Sequence, residues 1–75
     1  MIDRCAVLLA GKVYSLPAPA SHKDIVEKFG LVRGLGTMGF EASDRFVDRR
    51  EGARIAFANG QIDERKATLY SEDLW

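Results

Sequence analysis

Four arginines fall within ten residues, at Arg45, Arg49, Arg50 and Arg54, and no other stretch of the chain concentrates charge in this way. Residues of this type at this spacing suit anion capture, because a guanidinium presents a planar fork of donors that a phosphate meets bidentately. On a helix, Arg50 and Arg54 share a face at i,i+4 with Phe57 at i+7, while Arg45 and Arg49 flank a strand-to-helix corner. Phe46 and Tyr14 supply rings able to stack on a base beside such a phosphate. The candidate ligand-binding residues are therefore Arg45, Phe46, Arg49, Arg54 and Tyr14. The competing reading is a solvated helix face on which Asp44, Asp48 and Glu51 pair with the arginines.

Catalysis has less to work with. The chain holds one histidine, His22, and one cysteine, Cys5, and no nucleophile, base and orienting group share a motif spacing. No catalytic residue is assigned, and a binding protein rather than an enzyme is expected. His22 beside Ser21 reads as an exposed first-turn residue, and Cys5 in an apolar strand reads as an inert buried thiol. One Cys and one His assemble neither an intrachain disulfide nor a metal set, so no metal or cofactor is expected. Gly34-Leu35-Gly36-Thr37-Met38-Gly39 spells G-x-G-x-x-G, yet no strand precedes it, no helix follows it, and the chain has no room for the βαβ unit that gives those letters meaning. It reads as a loop.

Seventy-five residues allow a single domain over 1–75, since a chain of this size buries only roughly 60% of its unfolded surface. Eleven Lys+Arg balance eleven Asp+Glu, so no global field draws in nucleic acid or an acidic membrane, and any anion site must be local. Near-neutral charge and a small core favour association, and a homo-oligomer is expected. The longest apolar run, Cys5 to Ala10, is far short of the ~20 residues that cross a bilayer and follows Asp3 and Arg4. No signal peptide or membrane span is expected, and the chain reads as cytoplasmic.

The elements that must position the arginines follow from turn and cap signals. Ile2–Leu9 and Lys12–Leu16 read as a hairpin turning at Ala10-Gly11, ended by the stiff Pro17-Ala-Pro19-Ala20 connector. Ser21-x-x-Asp24 starts a helix over His22–Phe29 that Gly30 stops. Residues 31–38 have no periodicity and read as a loop, followed by a short hairpin, Gly39–Ser43 and Arg45–Val47, turning at Ser43-Asp44. Asp48 then caps a helix over Arg49–Ala58, with Glu51 expected to reach back to the N–H of the cap and Asn59-Gly60 as the stop. Gly52 near its start implies close packing. The resulting class is α+β: an antiparallel sheet of two hairpins with two helices packed on one face. The expected core is Val7, Leu9, Val13, Ile25, Phe29, Phe40, Phe46, Val47, Ile55, Ala56, Leu69 and Leu74, with Leu74 and Trp75 packing at a subunit boundary or on the chain's own sheet.

Several blocks, Val13–His22, Gly39–Arg49, Ile55-Ala56 with Gln61, and Leu69-Tyr-Ser-Glu-Asp-Leu-Trp75, together resemble a family of small phage and prophage proteins with the pattern G-F-x-T-S-x-G-R-F-V-x-R-x-E-A-x-x-I-A, G-Q and L-Y-S-E-D-L-W. The chain departs from it by one residue fewer between Ser43 and Arg45, by Ala42 for threonine and by Gly52 for alanine. The pattern also resembles the Thoeris anti-defence sponge proteins of phages, which sequester cyclic ADP-ribose-type immune signals without cleaving them. That resemblance implies a phage-encoded protein of the host cytoplasm that holds a small-molecule nucleotide signal. The alternative is a protein-interaction module that inhibits a host defence enzyme, anchored by Leu74-Trp75.

Overall fold

The computed structural model describes residues 1–32 and 34–75; Arg33, inside the expected loop, lies outside the described residues. The elements run β1 (Ile2–Leu9), β2 (Lys12–Pro17), α1 (His22–Phe29), β3 (Thr37–Ala42), β4 (Arg45–Asp48) and α2 (Arg49–Ala58), with a 3-10 turn at Ser71–Asp73. The four strands form one antiparallel sheet in the order β2-β1-β3-β4. This is the α+β architecture that the turn and cap signals imply. β3 begins two residues earlier than the glycine pattern suggests, because Thr37 and Met38 pair with Leu8 and Val7.

Both hairpins close in two residues. Ala10 and Gly11 take φ of 51° and 78°, and Ser43 and Asp44 take 53° and 64°, the left-handed pair whose twist matches that of the flanking strands. The second turn achieves this without glycine. In α1, Ser21 Oγ accepts the Asp24 N–H at 3.3 Å while Asp24 Oδ2 accepts the Ser21 N–H at 2.8 Å, and Gly30 ends the helix at φ 66°. In α2, Asp48 Oδ1 accepts the Glu51 N–H at 2.8 Å, but Glu51 does not reach back as expected. Its carboxylate turns to guanidinium groups instead, 2.9 Å from Arg54 Nε and 3.9 Å from Arg45 Nη2.

α1 lies on β1 and β2, and α2 on β3, β4 and β1. The face they cover carries a row running across all four strands, Leu16–Cys5–Phe40–Val47. At the start of β1 the register shifts between Ile2 and Arg4, and this bulge returns Ile2 to the covered face. β2 ends opposite Arg4, so Ile2 has no strand neighbour on that side. Gln61 takes that place: its Oε1 accepts the Ile2 N–H at 2.8 Å and its Nε2 donates to the Ile2 carbonyl at 2.8 Å. Neighbouring Ile62 and the later Leu69 are buried, which fastens the tail to the core.

Of the expected core, Val7, Ile25, Phe40, Val47, Ala56 and Leu69 are fully buried. Val13 and Phe29 are corrections, at 36% and 41% exposed. Val13 sits opposite Leu8 on the face without helices, and Phe29, in the last turn of α1, lies over Tyr14 with ring centroids 5.2 Å apart rather than inside. His22 is a further correction: it is buried, with Nε2 2.8 Å from the Gly39 carbonyl and its ring edge-on to Phe40. Trp75 is anchored within the chain, its Nε1–H donating to the Ala20 carbonyl at 2.9 Å.

Gly39 is the tightest backbone position. A Cβ there would collide with the Val47 carbonyl oxygen and with the Phe46 ring, which lies over it. Gly39→Ala should therefore cost about 1–3 kcal/mol of stability, read as a lower thermal midpoint. An unchanged midpoint would show that Phe46 and β4 yield without strain.

Candidate functional site

The five residues singled out by type and spacing do not converge. Tyr14 is on β2 and Arg45 and Phe46 are on β4, the two opposite edges of the sheet, roughly 14 Å apart at the ordinary strand spacing. Tyr14 is sandwiched between Phe29 and Lys12, whose Nζ lies 5.1 Å from the ring centroid. Phe46 covers Gly39. Arg45 and Arg54 share the Glu51 carboxylate. Arg54 also borders a groove of about 420 Å³ along α2, where Phe57 lies under Arg65 at 5.1 Å and Lys66 is paired to Asp73 at 3.4 Å. The cations of that groove are thus exposed or already matched.

Arg49 stands apart. It is the first residue of α2, half-buried, and its guanidinium lies 4.7 Å from the centroid of the Tyr70 ring. Among the described residues no carboxylate pairs with it, whereas Arg4, Arg45, Arg54 and Lys66 each have one. Its Nε is buried without a hydrogen-bond partner. A guanidinium keeps its charge at any physiological pH, so burying an unused donor of this kind is costly unless something accepts from it.

The space beside it is a cavity of about 310 Å³. One wall is the first turn of α1, Ser21, His22 and Lys23; the other is the 3-10 segment, Tyr70, Ser71 and Glu72. The cap of α1 uses Ser21 and Asp24, which leaves the His22 and Lys23 N–H groups as the unmatched donors of that turn. Lys23 adds a positive charge and Glu72 a negative one at the rim. The chain holds this geometry through backbone: the Leu69 N–H donates to the Arg49 carbonyl at 3.1 Å, which sets Tyr70 beside the guanidinium. Such a cavity, with a stacked guanidinium, an ammonium and the start of a helix, can hold a phosphate-sized anion.

Tyr70, Lys23, Ser71 and Glu72 were not marked by type or spacing. Leu69 and Ser71 are buried while Tyr70 and Glu72 point outward, an alternation that the Leu69–Glu72 stretch could have announced, but nothing local ties Tyr70 to Arg49. Among the described residues, no three His, Cys, Asp or Glu side chains converge as metal ligands would. Cys5 lies beneath the helices, where burial pushes its thiol up to about 12 and keeps it protonated and inert. No helix of the described residues is long and apolar enough to cross a membrane.

A family model described as Phage T4 y16D protein matches residues 16–75. No curated protein and no solved structure matches the chain.

Burial, reinforced by the charge of Arg49, holds His22 below its ordinary value of 6.5, against the opposite pull of the Gly39 hydrogen bond and Glu72. The unfolded chain titrates at that ordinary value, so above pH 6.5 His22 has no effect on the folding balance. Below it, the unfolded state takes up a proton that the native state resists, and stability falls towards the folded-state pKa. Thermal midpoints should therefore decline from pH 7 to pH 5, and His22→Gln, which keeps an N–H for Gly39, should decline less steeply. Equal slopes would assign the acid sensitivity to the carboxylates.

Proposed function

The chain belongs to the Phage T4 y16D protein family, and from that premise we propose that it is a phage-encoded anti-defence protein that sequesters a cyclic nucleotide or cyclic ADP-ribose-type signal without catalysis. One observation carries the reading: a half-buried, carboxylate-free Arg49, stacked on Tyr70, lines a cavity of about 310 Å³. A phosphate seated there accepts from the guanidinium, Lys23 and the first turn of α1. Tyr70, 45% exposed, offers the outer part of its ring to the rest of the ligand. Capture alone is sufficient to remove a signal from the host cytoplasm.

The reading narrows the candidate arginines, Arg45, Arg49 and Arg54, to one residue. Arg45 and Arg54 share Glu51 on the outer face of α2 and serve helix and hairpin, not ligand. Calorimetry against cyclic nucleotides and cyclic ADP-ribose isomers tests it. Arg49→Ala should weaken binding roughly ten- to a hundredfold, the worth of a charge-assisted phosphate contact, while Arg45→Ala and Arg54→Ala stay within about twofold. Silence of the unmodified protein across the panel removes the proposal.

A further inference from the structure

The pocket contains a buried hydrogen-bonding group whose orientation is fixed by something outside the pocket. His22 Nε2 lies 2.8 Å from the Gly39 carbonyl oxygen. A carbonyl only accepts, so Nε2 carries the proton, and in the neutral ring Nδ1 is left as an acceptor. The ring is held in this pose from two sides, by the Gly39 bond and by its edge-on contact with Phe40 at 5.2 Å between centroids. His22 also lines the cavity beside Arg49, and with Nε2 committed to Gly39 the ring nitrogen left for a ligand is Nδ1.

A pocket built to hold a bare anion would present donors alone. This one sets an acceptor next to the phosphate donors. Ser21 Oγ already accepts from Asp24, the Glu72 carboxylate is exposed and repels an anion, and the Ser71 and Tyr70 hydroxyls can turn a proton towards the phosphate, whereas the neutral Nδ1 only accepts. In a ribose 3′-phosphodiester the 2′-hydroxyl sits on the carbon adjoining the one that bears the phosphate. A ligand whose phosphate meets Arg49 therefore brings a hydroxyl donor alongside, and this hydroxyl is the group by which proteins tell ribose from deoxyribose.

We infer that His22 is the specificity-determining residue of the pocket and selects ribose phosphodiesters over deoxyribose ones, accepting the 2′-hydroxyl hydrogen at Nδ1. This rests on the Arg49 pocket being the ligand site. The groups that face His22 set its charge: Arg49 from α2 opposes protonation, Glu72 from the 3-10 segment favours it, and Lys23 and Asp24 lie beside it on α1. Burial and Arg49 prevail, so the ring is neutral and accepting at neutral pH. Acidification places a proton on Nδ1 and removes the acceptor.

The probes are uridylyl-3′,5′-uridine and its fully 2′-deoxy counterpart, a pair with one phosphodiester charge that does not titrate between pH 5 and pH 8. At pH 7.5 the ribose form should bind roughly five- to twentyfold more tightly, the worth of one hydrogen bond to a buried acceptor. The ratio should fall in step with protonation of His22, followed by the ring-proton NMR shifts of this lone histidine as the pH is lowered, and in His22→Phe, which keeps the ring against Phe40, it should be one throughout. The pH arm needs no variant and stands even if His22→Phe fails to fold. Equal binding at pH 7.5 overturns the role of His22 and leaves the pocket intact. A ribose preference that survives protonation of the His22 ring, or survives His22→Phe, overturns it as well, by assigning the hydroxyl to another group. Failure of either dinucleotide, and of sulfate, to bind at all overturns the pocket and this inference with it.

Discussion

Phe40 is the point on which the two helices converge. It is fully buried at the middle of β3, edge-on to His22 of α1, and its ring would lie 3.1 Å from a Cβ placed at Gly52 of α2. Two helices of eight and ten residues cannot hold themselves together in water, so both depend on this face for their stability. Because each meets Phe40 through its first turns, their N-terminal ends are brought together above the sheet. That is why His22 and Arg49, 27 positions apart, line the same cavity. Gly52 permits the approach: a Cβ there would press on the Phe40 ring and come into contact with Leu69, and Leu69 is the residue whose N–H fixes the Arg49 carbonyl.

Charge pairing then separates Arg4, Arg45 and Arg54 from Arg49. Arg4 spans β1 to Glu41 on β3 at 3.2 Å, and its Nε also meets Ser15 Oγ on β2 at 3.0 Å, a clasp across three strands. Arg45 and Arg54 converge on Glu51, which joins the second hairpin to α2. Exposed pairs of this kind contribute little each, typically ~0–1 kcal/mol, but they occupy the guanidinium forks. Arg49 has an aromatic ring where Arg4, Arg45 and Arg54 have carboxylates. Stacking on Tyr70 orients the group while leaving its charge uncompensated, and uncompensated charge next to a cavity is what an anionic ligand requires.

Local signals in the chain were enough for nearly every element boundary. Ser21 with Asp24, Asp48 at the head of α2, Gly30 after α1 and the pair Ala10-Gly11 each act through bonds spanning a few residues, so they can be read in order along the sequence. What could not be read this way is long-range. The capping role expected of Glu51 lost to two guanidinium groups, one of them on a different element. His22 looks like a solvent-facing helix start, and it is β3, through the Gly39 carbonyl and the Phe40 ring, that draws it in. Gln61 reads as a polar tail residue, although it completes the ladder at Ile2, 59 positions away. The arginine cluster was visible by composition, yet its division into paired and unpaired members depends on a tail tyrosine that no spacing rule connects to it.

The same long-range contacts determine how a ligand would bind. A domain of this size has only a few kcal/mol of net stability, roughly 0.05–0.15 kcal/mol per residue, so it has little with which to order a loop around a ligand. Here ordering is already complete. Arg49 is fixed by its place in α2 and by Leu69, Tyr70 by the 3-10 turn in which its N–H meets Asp73 Oδ2 at 2.9 Å, and His22 by Gly39. Each contact that fixes the pocket also holds the fold, so little side-chain freedom remains to be lost on binding. The cost is borne by the unliganded state instead, as a buried, unpartnered Arg49 Nε and a histidine kept from its proton. An acceptor that meets the guanidinium relieves the first, and a hydroxyl that meets the neutral imidazole makes use of the second, so the features least favourable to this small fold are those that give it selectivity.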